Sequence, residues 1–158
     1  MQKRNYLLFI FLFILISLSF AETKKFISTP IPVDTITKIE MFLNAFGVES
    51  DGFPTIKATL NFKTHRSICK VSCNEPQLNS KRYSLTQKEM RAILSILEKF
   101  DLKQLKKEYS AEETDRPTST ITIYTVKGKF EIKDHGLIGE YPLNILYTIV
   151  YKLKENFR

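Results

Sequence analysis

The sequence predicts an α+β domain, an antiparallel sheet of about five strands with two helices packed on one face. Three observations predict it. Residues 55–63 alternate apolar and polar with a period of two, residues 86–100 carry a helix start signal followed by a stripe at helical spacing, and residues 121–132 read as two alternating runs around a glycine turn. Strands grouped with strands, short connections and only two helices give the order β-β-β-α-β-β-α.

The chain begins outside that domain. Lys3 and Arg4 precede an uncharged apolar stretch from Tyr6 to Leu18, which closes on Ser19, Phe20 and Ala21 before the polar Glu22-Thr23-Lys24-Lys25. This is the order of a secretory signal, and its apolar part is about 13 residues where a bilayer-crossing helix needs roughly 20. The expectation is cleavage near Ala21 and a secreted or periplasmic product; the competing reading is an uncleaved N-terminal anchor. No cysteine stands just after Ala21 to take a lipid. The expected division is a signal peptide at 1–21, a polar tether at 22–33 containing Pro30 and Pro32, and a single domain at 34–158. Cleavage removes two of the 24 basic residues and none of the 17 acidic ones, so the formal charge falls from +7 to +5. Such a charge bears on solubility and on attraction to anionic surfaces, not on fold.

Within the domain, residues 36–48 fit two patterns. Ile39, Met41, Leu43 and Ala45 alternate as in a strand, whereas Ile36, Ile39, Leu43 and Phe46 also suit a helix between Asp34 and Gly47; the strand is preferred. Ile56, Ala58, Leu60 and Phe62 alternate strictly with polar neighbours and form the second strand. The loop from Gly47 to Pro54 joins the two, and Thr64-His65-Arg66 turns into a third strand around Ser67 to Ser72. Asn74 to Arg82 reads as a polar loop.

Thr86 and Glu89 form a capping box, with Leu85 and Met90 placed as the hydrophobic staple. The packed stripe is Met90, Ile93, Leu94, Leu97 and Phe100, with Leu102 and Leu105 extending the helix by a turn. After a loop from Ser110 to Pro117 comes a hairpin. A two-residue turn at Lys127-Gly128 sets Thr125 opposite Phe130 and Ile123 opposite Ile132. Asp134 to Tyr141 is a loop, and Pro142 opens a last helix whose Leu143, Leu146, Val150 and Leu153 recur at helical spacing.

The runs KIEMFLNAFGVESDGFP, SLTQKEM and TDRPTSTITIYTVKGKFEIKD resemble uncharacterised exported bacterial α+β domains with a sheet, a helix opened by Leu-Thr and a closing hairpin. The resemblance implies a fold of that kind and transfers no catalytic residue.

Few residues could carry chemistry. Cys69 and Cys73 lie in an exported chain, where disulfides form. On a straight strand their Cα atoms would be about 13 Å apart, whereas a disulfide needs less than about 7 Å. A bridge is expected, and it requires the chain to turn within Lys70-Val71-Ser72. His65, Cys69 and Cys73 follow H-x3-C-x3-C, with His135 as a conceivable fourth ligand, but strand geometry spreads those groups apart and no metal is expected. Asp134-His135-Gly136 at a strand end is explained by turn chemistry; the alternative is a small envelope hydrolase using the Asp134-His135 loop, for which no Gly-x-Ser-x-Gly elbow is present. Glu112, Glu113 and Asp115 read as solvated loop charges. Phosphate loops, dinucleotide fingerprints and calcium loops are absent, so no cofactor is expected. Lysines scattered among acids, without an arginine-rich segment, argue against nucleic acid as a partner.

The function expected is an exported, non-enzymatic binding or interaction module, of which a periplasmic immunity or inhibitor protein is one form. Its partner would be a protein or an envelope component. The candidate surface comprises Lys57, Thr59, Tyr124, Glu131 and His135, with the loops at 47–54 and 136–141.

Overall fold

A computed structural model of the chain describes residues 36–44, 53–73 and 80–152. The signal segment, the tether, residues 45–52 of the first loop, residues 74–79 and Leu153 lie outside the described residues. Two layers are present. A mixed seven-stranded sheet has the order β4-β3-β2-β1-β6-β7-β5, and two helices contribute to the core on one of its faces.

The first strands follow from alternation. In β1 (Ile36–Asn44), Ile39, Met41 and Leu43 point into the core, which settles the competition between strand and helix in favour of the strand. β2 (Thr55–Asn61) and β3 (Arg66–Ser72) bury every second residue, and they meet through a turn in which His65 adopts a positive φ of 53°. A short β4 (Lys81–Tyr83) pairs with β3 and forms one sheet edge.

The helix α1 (Gln87–Glu98) begins at Thr86, whose hydroxyl accepts from the Glu89 N–H at 3.2 Å while the Glu89 carboxylate accepts from the Thr86 N–H at 2.6 Å. Met90, Ile93 and Leu97 are its buried face. The helix does not continue to Leu105 as expected. Asp101 starts a separate 3-10 turn, Leu102–Gln104, by accepting from the Lys103 N–H at 3.0 Å, so Leu102 reaches the core from a new direction.

Beyond it, β5 (Glu108–Ser110) runs parallel to β7 as the opposite edge. The central hairpin comprises β6 (Thr118–Thr125) and β7 (Gly128–His135). Its inward face is the expected one, but its register is not: Ile123 faces Phe130 and Ile121 faces Ile132. The turn is Val126-Lys127, one residue earlier than expected. Thr125 determines it, since its hydroxyl accepts from the Lys127 N–H and donates to the Gly128 carbonyl, both at 3.2 Å.

The last helix, α2 (Leu143–Leu146), passes into a π-helical segment, Tyr147–Tyr151, that ends with Lys152 in the left-handed region. Pro142 stands at its N-cap and not at the first helical position. The Glu89–Lys152 ion pair at 3.1 Å and a hydrogen bond from the Tyr83 hydroxyl to the Val150 carbonyl tie this segment to α1 and β4. The sheet therefore has seven strands in place of about five, and it is mixed because of β5. Both added strands are three residues long, too short for alternation to register in the sequence.

Candidate functional site

The sheet has one covered face and one open face. Cross-strand register aligns the open one in rows. Arg82 of β4 faces Lys70 of β3, Lys70 faces Lys57 of β2, Lys57 faces Phe42 of β1, and Phe42 faces Thr120 of β6. A second row runs Ile68, Thr59, Glu40, Thr122 and Glu131, and a third runs Arg66, Asn61, Lys38, Tyr124 and Lys129. Lys57, Thr59, Tyr124 and Glu131, the residues chosen from the sequence, thus share one face. His135 lies at the far end of that face, four residues beyond Glu131 along β7 and opposite Thr118.

The acidic groups of the face are occupied. Glu40 accepts from the Tyr124 hydroxyl at 2.7 Å and from Lys38 at 2.9 Å, and the Lys38 ammonium stands 4.0 Å from the centre of the Tyr124 ring. The Tyr124 hydrogen bond first, then that of Lys38, holds the Glu40 carboxyl below its ordinary value. Glu131 pairs with Lys129 at 3.3 Å. Lys57, Lys70 and Arg82 form no ion pair among the described residues, although neighbouring strands bring them side by side. Lys57 instead leans 5.3 Å from the Phe42 ring. Beside it, Glu40, Phe42, Lys57, Thr59, Thr120 and Thr122 enclose a shallow depression of about 300 Å³. Ile68 lies in the open at 55% exposure.

Asp134 and His135 have different surroundings. Asp134 is fully buried, and its carboxylate accepts from the N–H groups of Ile138 at 3.0 Å and Gly139 at 2.8 Å and from the Tyr147 hydroxyl at 2.6 Å. Gly139 is required there, because an added Cβ would stand 2.7 Å from the Asp134 carboxylate and from Leu143. Tyr147 stacks on Tyr151 at 5.8 Å with rings 3° from parallel, and the Tyr151 hydroxyl shares a hydrogen bond with Ser119 at 2.7 Å. Burial first, then the Asp134 hydrogen bond, drives the Tyr147 phenol far above its ordinary value, and burial does the same to Tyr151. Both phenols stay protonated and act as fixed donors or acceptors.

His135 has both ring nitrogens engaged. Nε2 lies 2.8 Å from the Glu113 carbonyl, which can only accept, so Nε2 carries the proton; Nδ1 lies 3.1 Å from the Thr118 hydroxyl. The arrangement pins the 111–117 loop to the end of β6. Neither Asp134 nor His135 lines either of the two depressions described for this fold.

The expected Cys69–Cys73 bridge is not formed. Both cysteines are free thiols. The strand continues straight to Ser72 in register with β2, so the turn that a bridge needs within 70–72 does not occur. Cys69 is buried on the core side of β3, and burial raises its thiol from 9.0 to about 11.

Residues 59–154 match the model of a family described as a domain of unknown function (DUF6438). The chain belongs to the DUF6438 family. The match begins inside β2 and so leaves out β1, the strand that joins β2 to β6 in the sheet. No curated protein and no solved structure matches the chain.

Sequence reasoning missed Lys70, Arg82 and Glu40 as members of the open face. The first two could have been placed by fixing the β2–β3 turn at 62–65, which sets Lys57 opposite Lys70 by counting. Arg82 could not, because a three-residue β4 at the end of the polar stretch 74–82 carries no alternation that marks it as a strand.

Proposed function

We propose that this DUF6438 domain is an exported, non-enzymatic binding module that docks a protein partner on its open sheet face, in the manner of an immunity or inhibitor protein. The observation carrying this reading is the row of Lys57, Lys70 and Arg82 on adjacent strands, without an acidic partner among the described residues. Cations directly opposed across strands destabilise a sheet by some tenths of a kcal/mol per pair. An acidic surface on a partner would neutralise them, while Phe42, Ile68 and the depression beside Thr59 supply apolar contact at the centre. Complementary charge of this kind accelerates encounter and makes association sensitive to salt.

The test is affinity capture of the mature form from its native envelope fraction, in parallel with Lys57→Glu/Lys70→Glu. A partner retained by the wild type, forming a 1:1 complex and lost from a folded double variant, is the expected result. Equal retention by the double variant, or no reproducible partner, would remove the reading.

A further inference from the structure

We infer that the free edge of β7 is a strand-addition site for an extended acidic peptide, a surface that meets the open face only at Lys129 and Glu131. In the β6–β7 ladder the Lys133 N–H points outward and donates to the Lys107 carbonyl at 2.9 Å, and the His135 carbonyl accepts from Ala111 at 2.9 Å. Alternation then turns the main-chain N–H and C=O of Glu131 and Lys129 outward as well. β5 covers only Lys133, Asp134 and His135. At Glu131 and Lys129 the segment following α1 stands away from β7 and leaves a groove of about 430 Å³, within the range of ligand-binding pockets.

The walls of this groove are suited to one kind of occupant. Leu102, Leu105, Phe130 and Ile132 supply an apolar floor, and Lys103, Lys106, Lys107 and Lys129 a cationic rim against the single acid Glu131, itself paired with Lys129. An extended segment laid along the edge would complete the hydrogen bonds of Glu131 and Lys129. Its apolar side chains would alternate onto the floor, and its carboxylates would meet the lysines. The chain's own terminal segments, 1–35 and 153–158, each carry more lysine and arginine than aspartate and glutamate, so complementarity points to another molecule.

Fluorescence anisotropy with a short acetylated peptide alternating glutamate and valine tests this. Expected are binding that weakens as salt rises and a loss of ~10-fold or more, about 1.4 kcal/mol, in both Lys103→Glu/Lys106→Glu and Glu131→Pro. Proline at 131 removes an outward N–H and leaves the β6 ladder intact. Equal binding of a lysine–valine peptide, no binding of the acidic one, or full affinity in folded Glu131→Pro would overturn the inference. Should Glu131→Pro not fold, amide exchange at Lys129 and Glu131 in the wild type decides: protection on adding the peptide supports strand addition, and unchanged exchange overturns it. Lys57→Glu/Lys70→Glu leaves this groove untouched, so failure here is distinguishable from failure of the open-face reading.

Discussion

Replacing Asp134 by asparagine isolates what its buried carboxylate contributes. The side chain keeps its shape but has one acceptor oxygen where the carboxylate had two. If that oxygen takes the Oδ2 position, Gly139 and Tyr147 keep their acceptor and the Ile138 N–H faces an amide NH2; the reverse placement strands the Gly139 N–H. Either way one donor loses its partner, at about 1–3 kcal/mol. The surviving bonds also lose their ionic character, on the order of 1 kcal/mol more. Cheaper burial of a neutral group works in the opposite direction. The expected loss is about 2–3 kcal/mol, or roughly 6–15 °C in Tm for a domain of this size. Urea unfolding followed by far-ultraviolet circular dichroism at pH 7 measures it. Tyr147→Phe alone leaves Gly139 bonded to Oδ2 and should cost about 1–2 kcal/mol, and less in the Asp134→Asn background, because the two share one bond. A loss below ~0.5 kcal/mol for Asp134→Asn would refute the account of Asp134 as the organiser of the 136–141 loop.

Thiol titration should find two reactive groups in denaturant without reductant and only Cys73 in the native protein at pH 8, since Cys69 is buried; no free thiol in denaturant until a reductant is added, the sign of a Cys69–Cys73 disulfide, would contradict the fold. Because the folded thiol of Cys69 binds its proton more tightly than the unfolded one, stability is fully present below pH 9 and falls as pH rises from 9.0 towards about 11. Cys69→Ala should flatten the pH 9–10 part of that decline, below the range in which Tyr147 and Tyr151 begin to contribute. Thr86→Ala removes the cap of α1 and should cost about 1 kcal/mol by urea unfolding. Burial of Glu89 works to raise its pKa, but the Thr86 N–H and hydroxyl and Lys152 outweigh it and hold the carboxyl below its ordinary 4.5. The stability it contributes is therefore present above pH 4.5 and lost as pH falls through the lowered value, and Glu89→Gln should remove that acid limb.

How far the sequence disclosed the fold depended on whether the deciding signal was local. Thr86 and Glu89 are three residues apart, and the start of α1 was readable to the residue. The inward face of the β6–β7 hairpin was readable from parity, but its register required knowing that the Thr125 side chain would bond across the turn. β4 and β5 exist because β3 and β7 offer edges to pair with, and no three-residue pattern announces that. The disulfide expectation failed for a related reason: pairing of Thr55 with Ser72 and Ile56 with Val71 keeps β3 extended, where an isolated segment ahead of Pro76 reads as ready to turn. For the site, alternation placed Lys57, Thr59, Tyr124 and Glu131 on one face. It could not show that Asp134 is consumed inside the protein, since Tyr147 reaches it from another element.

The two faces of the sheet differ in what their side chains still have free. On the covered face even the polar groups are committed: Ser67 bonds to Leu85, Ser119 to Tyr151, and Asp134 to its three donors. On the open face the acids Glu40 and Glu131 have cations of their own, and among the described residues the surplus positive charge includes Lys57, Lys70 and Arg82 on adjacent strands, with Lys133 continuing their row beyond Thr120. Threonine at any of these three positions would suit a strand better and would remove a repulsion. The Phe42 ring beside Lys57 and the edge position of Arg82 account for part of the row, but not for Lys70 between them, and a cost in stability concentrated at one surface is a mark of a surface used for something else. Lys70→Thr puts the point to measurement. It should raise stability by some tenths of a kcal/mol while weakening capture of an acidic partner. A variant that gained stability and kept full binding would show the row to be incidental.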